Sequence, residues 1–122
     1  MRLVKLALAN VNTTVGAFGS NVDRVLAMAK QMAAAQVSVG VFPESVVGGY
    51  PPEDLIQWQA FVDRQWVELQ RFADATVGLA TVYVLGVLVT HQGLRYNCAA
   101  VVAGGKVRGL VPKEKLPTYN IF

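Results

Sequence analysis

Val37-Ser38-Val39-Gly40-Val41-Phe42-Pro43-Glu44 is a short β-branched and aromatic run that breaks at a proline. Such a run reads as a buried strand, and Pro43, with no N–H to donate, marks where pairing stops. Glu44 therefore opens a loop at the end of an interior strand. Lys113 occupies a matching position later in the chain, where Val111-Pro112-Lys113-Glu114-Lys115-Leu116-Pro117 again interrupts an apolar run at a proline. An acid and a base mounted on such breaks suggest a proton-transfer site, with Glu44 as base and Lys113 as electrostatic stabiliser. Spacing alone favours the plainer alternative of a solvated loop Glu and an unrelated surface Lys.

The flanking sequence places the first break within a layered α/β pattern. Met1 to Ala9 is an apolar stretch interrupted by Lys5 and reads as a buried first strand, too short for a membrane span or a signal peptide. Asn12-Thr13-Thr14 matches a glycosylation acceptor in form, but without an export signal it reads as a turn. Gly16, Gly19 and Ser20 mark a loop, and Ser20 with Asp23 three residues on resembles a capping box opening a helix. Val22, Val25, Leu26, Ala29, Met32 and Ala33 recur at helical spacing and predict one buried face, with Met28 and Met32 as core filler rather than metal ligands.

After Glu44, the segment Ser45 to Pro52 carries Gly48, Gly49, Pro51 and Pro52, a shaped connection leading to a helix entry at Glu53-Asp54. A second helix is expected from about Glu53 to Ala75, with Leu55, Trp58, Val62, Leu69 and Phe72 in the core and Trp66 and Ala73 widening the stripe. Val82 to Thr90 and Arg95 to Val102 read as two strands of a hairpin around His91-Gln92-Gly93. Ala103-Gly104-Gly105 turns the chain into a last strand, Lys106 to Val111. The expected order is β-α-β-α-β-β-β in one α/β domain over residues 1–122, with no internal boundary, repeat or low-complexity segment.

Composition narrows the function. Eleven Lys and Arg against eight Asp and Glu give a net charge of only +3. The basic residues are scattered apart from a loose group at Lys106, Arg108, Lys113 and Lys115, so no nucleic-acid partner is implied. Neither is a membrane. The single Cys excludes an internal disulfide framework and fits a reducing cytoplasmic setting, and no zinc-ligand spacing is present. Cys98 lies within the apolar run Tyr96 to Val102 and reads as a small core residue rather than a nucleophile. His91 reads as a loop residue rather than a base.

A family resemblance gathers these pieces. Ala9 to Gly16, Val41-Phe42-Pro43-Glu44, Gly49-Tyr50-Pro51-Pro52-Glu53-Asp54-Leu55, Tyr96-Asn97 and Lys113-Glu114-Lys115-Leu116-Pro117-Thr118-Tyr119 together resemble the nitrilase (carbon-nitrogen hydrolase) superfamily. The Gly-Tyr-Pro-Pro-Glu-Asp-Leu and Lys-x-x-Leu-Pro-x-Tyr segments are most similar to the glutaminase domains of glutamine-dependent NAD synthetases. The resemblance runs from about Val4 to Phe122 and implies the N-terminal part of an α-β-β-α sandwich.

It also implies a Glu-Lys-Cys triad in which Glu44 passes protons and Lys113 stabilises an oxyanion, while a thiolate attacks the carboxamide of glutamine. The family's Cys follows a later strand and would fall beyond Phe122. Tyr50 and Tyr119 match tyrosines that line the glutamine site. Lys115 stands where many members have His, which leaves Lys113 as the catalytic match and Lys115 and Glu114 as peripheral. No cofactor is implied for this chain, whereas the parent would use ATP and Mg in a separate synthetase domain to amidate nicotinic acid adenine dinucleotide with the released ammonia. The chain is then expected to be inactive alone, and to pair with the rest of its domain or with its own copies through an exposed sheet edge and apolar face. Two alternatives accompany this reading: part of another nitrilase-type amidase, or a non-catalytic binding or assembly module.

Overall fold

The computed structural model describes residues 3–114. The elements run β1 (Leu6–Leu8), α1 (Phe18–Ala34), β2 (Val39–Val41), a 3-10 turn (Glu53–Gln57), α2 (Gln59–Ala75), β3 (Val82–His91), β4 (Leu94–Ala103) and β5 (Lys106–Pro112). This is the expected β-α-β-α-β-β-β order. The strands form one sheet in sequence order, with β1, β2 and β3 parallel and β3, β4 and β5 antiparallel.

Two crossovers of the same hand between neighbouring parallel strands put their helices on one face of the sheet. Val22, Val25, Ala29 and Met32 of α1 and Leu69, Phe72 and Ala73 of α2 accordingly share a core with Tyr83, Leu85, Cys98 and Ala100. Tyr83 is wholly buried there, its ring 5.5 Å edge-on from Phe72 and its hydroxyl donating to the Ala29 carbonyl at 2.6 Å. The register aligns Leu6, Val39 and Val82, and likewise Leu8, Val41 and Val84, on the opposite face. Leu8 is 83% exposed there and Val111 of β5 60%, so this apolar face has no layer above it among the described residues. That is half of the expected sandwich.

The helix boundaries depart from the sequence expectations in two places. Helix α1 starts at Phe18, ahead of Ser20, and Ala17 at its N-cap makes no side-chain bond. Asn21 is instead the polar anchor: its side chain accepts from Thr14 N–H and donates to the carbonyls of Thr14 and Val47, tying the helix to the loop that follows Glu44. The expected second helix is split at Trp58, whose extended ψ of 116° separates the 3-10 turn from α2. Leu55 and Trp58 therefore leave the core, Trp58 being 67% exposed, and Trp66 sits at 41%. The buried stripe of α2 is Phe61, Val62, Gln65, Glu68, Leu69, Phe72 and Ala73.

The two late turns follow their glycines. Gln92-Gly93 and Gly104-Gly105 all have positive φ, the condition for a two-residue turn whose twist matches its flanking strands. His91 pairs with Leu94 at the end of the first hairpin.

Candidate active site

Glu44 lies three residues past the end of β2, where that strand has ended and β3 continues beyond it. The unpaired stretch of β3 is taken up by the loop: Gly86 donates to the Pro43 carbonyl at 3.3 Å and accepts from Val47 N–H at 3.3 Å. Further along, Leu88 N–H is satisfied by Gln65 Oε1 of α2 at 3.0 Å. The loop carrying Glu44 is thus stitched to β3 and held from behind by Asn21, and Ser45 to Gly49 are buried. Gly49, at φ +89°, lies so close to the Val15 backbone that a Cβ would come within 2.6 Å of it, which reserves the position for glycine.

Lys113 is delivered by the sheet. Cys98 pairs with Pro112 between β4 and β5, and Lys113 N–H continues the ladder to the Asn97 carbonyl at 2.8 Å. Its ammonium reaches Glu44 Oε1 at 2.9 Å, across a sequence separation of 69 residues. Asn97 Nδ2 donates to the same oxygen at 2.6 Å. The pair remains open to solvent, with 43% of the Glu44 side chain and 34% of the Lys113 side chain exposed.

Glu44, Asn97 and Lys113 line a cavity of about 380 Å³ whose walls include Val84, Gly86, Ala99 and Val111, on the sheet face away from the helices. A larger cavity of about 720 Å³ lies between α2 and the β3–β4 hairpin, among Val62, Trp66, Val89, Tyr96 and Leu110. Neither Glu44 nor Lys113 borders it, so the reactive groups sit in the smaller space. An acceptor carboxylate and an ammonium converging on one cavity can pass a proton and stabilise a developing negative charge.

Cys98 is next to Asn97 in β4, and neighbouring strand residues point to opposite faces. With the Asn97 side chain on Glu44, the Cys98 thiol turns into the helix-side core, where it is 5% exposed and where burial pushes its pKa up. A raised pKa and a buried sulfur both oppose thiolate chemistry. His91 ends β3 in the hairpin, away from the Glu44 cavity. Tyr50 lies on the same connection as Glu44, exposed, while Lys115 and Tyr119 fall outside the described residues.

The pattern of motifs singled out Tyr96-Asn97 but gave Asn97 no role. Its signal is a lone amide among the apolar residues of β4. Gly86 had a similar signal, a glycine inside an unbroken strand run, which marks close backbone approach.

The family model for carbon-nitrogen hydrolases matches residues 5–120. The chain belongs to the carbon-nitrogen hydrolase family. It is 33% identical over 122 residues to the glutamine-dependent NAD(+) synthetase of Thermotoga maritima, covering all of this chain and 21% of that protein. The structure of the glutamine-dependent NAD+ synthetase of Acinetobacter baumannii superposes with a TM-score of 0.86 and 31% identity, over 98% of this chain and 22% of that one. An amidase from Nesterenkonia shares the fold at a TM-score of 0.79 and 17% identity, over 97% of this chain and 45% of the amidase. The chain therefore spans about a fifth of the length of the NAD synthetases it matches, and the likeness read from its ordered motifs is borne out. Among the described residues no helix is long and apolar enough to cross a membrane.

Proposed function

We propose that this chain contributes the general base and the cationic stabiliser of a glutamine amidohydrolase site, in a protein that hydrolyses glutamine to supply ammonia for ATP-dependent amidation of nicotinic acid adenine dinucleotide. The observation that carries the reading is the 2.9 Å approach of Lys113 Nζ to Glu44 Oε1. The pair lines an open cavity, within a chain similar to glutamine-dependent NAD synthetases over its whole length.

In this reading Glu44 takes the proton from the attacking thiol and later passes it to the departing ammonia. Lys113 offsets the charge that builds on the carboxamide oxygen as it becomes tetrahedral. The thiol comes from outside these 122 residues, because the sole Cys faces the helix-side core. Tyr50 and Tyr119 are proposed to contact glutamine. ATP and Mg belong to the amidation step in a separate synthetase domain. Among the described residues no group of three or more His, Cys, Asp or Glu side chains could hold a metal ion.

The test is ammonia release from glutamine by the polypeptide as its gene encodes it. Substitution Glu44→Gln or Lys113→Met is expected to abolish release, and wild-type rates in either variant would refute the assignment.

A further inference from the structure

We propose that Asn97 is the positioning residue of this site, fixing Glu44 and Lys113 relative to each other and leaving one defined carboxylate oxygen to handle the proton. The inference rests on the amidohydrolase reading above. Its basis is that one residue holds both partners: the Asn97 side-chain amide donates to Glu44 Oε1 at 2.6 Å, while its main-chain carbonyl accepts from Lys113 N–H at 2.8 Å. Only the NH₂ end of the amide can donate to a carboxylate, which sets its orientation.

Among the described residues, the side-chain bonds to Glu44, from Asn97 and from Lys113, both end on Oε1. Oε2 takes neither, and it is the oxygen that carries the proton. Lys113 alone would not fix this choice, since a flexible ammonium can move between the two oxygens. Asn97 is 8% exposed and sits opposite Leu88 in the β3–β4 register, behind which Gln65 pins the Leu88 N–H. A buried amide on a rigid strand is a fixed reference, and catalytic groups held by such supports keep the geometry that the reaction needs. Among the described residues, the titratable side chains around this cavity are Glu44, Lys113 and, from the far side of β4, Cys98.

The test compares kcat and KM for glutamine across a pH series in the polypeptide as encoded. Asn97→Ala is expected to lower kcat about 10²-fold, the scale of a misplaced catalytic group, with KM little changed. Asn97→Asp keeps the shape but sets two carboxyls together, which then share one proton. Protonated, the new carboxyl donates as the amide did; ionised, it repels Glu44. Its kcat is therefore expected to recover toward acid pH and fall toward neutral pH, a profile that loss of packing alone does not produce.

A loss in Asn97→Ala that appears in KM, or an Asn97→Asp profile parallel to wild type, overturns the positioning role. If Asn97→Ala fails to fold, the Asn97→Asp profile decides. Wild-type activity in Glu44→Gln, or no glutamine hydrolysis in the wild type, refutes the amidohydrolase reading and the Asn97 role with it. An inactive Glu44→Gln beside a fully active Asn97→Ala removes only the latter.

Discussion

Gly86 of β3 lies directly against the backbone of Glu44: a Cβ at this position would stand 2.6 Å from the Glu44 carbonyl carbon and 2.1 Å from Ser45 N. Backbone cannot yield as a flexible side chain can. Substitution Gly86→Ala is expected to cost about 1–3 kcal/mol, the usual penalty of overpacking, and to displace the Glu44 loop. Urea unfolding measures the first, and chemical-shift changes at Asn97 and Lys113 report the second. An unperturbed Asn97 side-chain amide in that variant would contradict the close approach.

The Glu44–Lys113 pair should matter far more to chemistry than to folding. Both side chains are more than a third exposed, and ion pairs in that setting contribute less than about 1 kcal/mol. Glu44→Gln keeps the size of the side chain and its bond from Asn97. The expected result is a urea midpoint near that of wild type alongside a loss of glutamine hydrolysis of about 10²-fold or more. A large loss of stability would mean that the carboxylate serves the fold.

The features legible in the sequence are those whose signal is local. The strand run ending at Pro43 located Glu44, and the apolar spacing of Val22, Val25, Ala29 and Met32 located the buried face of α1. Periodicity misassigned Trp58, because the 3-10 turn ahead of α2 shifts the phase by which Leu55 and Trp58 would have joined the stripe of Leu69 and Phe72. Asn21 was missed as a cap-region anchor because its partners, Thr14 and Val47, lie in separate loops. The meeting of Glu44 with Lys113 depends on the strand order of the sheet, which motif resemblance implied and spacing could not. Asn97 became meaningful only once the register had set it against both.

Arg71 joins the two helices through charge. It donates to Glu68 Oε2 at 2.7 Å, pairs with Asp23 of α1 at 2.9 Å and reaches the Gly19 carbonyl at 3.0 Å. The Glu68 side chain is only 6% exposed, so removing a donor leaves a poorly solvated carboxylate with Arg64 alone. The expected cost of Arg71→Met is about 1.5–3 kcal/mol, the range for hydrogen bonds to charged groups. Asp23→Asn, at an exposed position, should cost less than about 1 kcal/mol. Equal effects of the two in urea unfolding would show that the buried carboxylate is not the dominant partner.

Alkaline pH should loosen the helix-side core. Burial raises the pKa of the Cys98 thiol above its ordinary 9.0 and that of the Tyr83 phenol above 10.0. Each is neutral when protonated, so above its unfolded pKa the unfolded chain releases the proton while the folded chain retains it. The unfolded state then binds fewer protons, and stability falls as pH rises, by at most about 1.4 kcal/mol per pH unit for each group. Stability from these two groups is therefore complete below about pH 9 and is lost as pH climbs through the folded-state values. Urea midpoints measured from neutral to alkaline pH should show this decline, and Cys98→Ala should remove its earliest part at some cost in packing. The same burial predicts slow alkylation of Cys98 by iodoacetamide in the native chain and fast alkylation in urea. Rapid native labelling would show a thiol open to solvent and would reopen Cys98 as a candidate nucleophile beside Glu44.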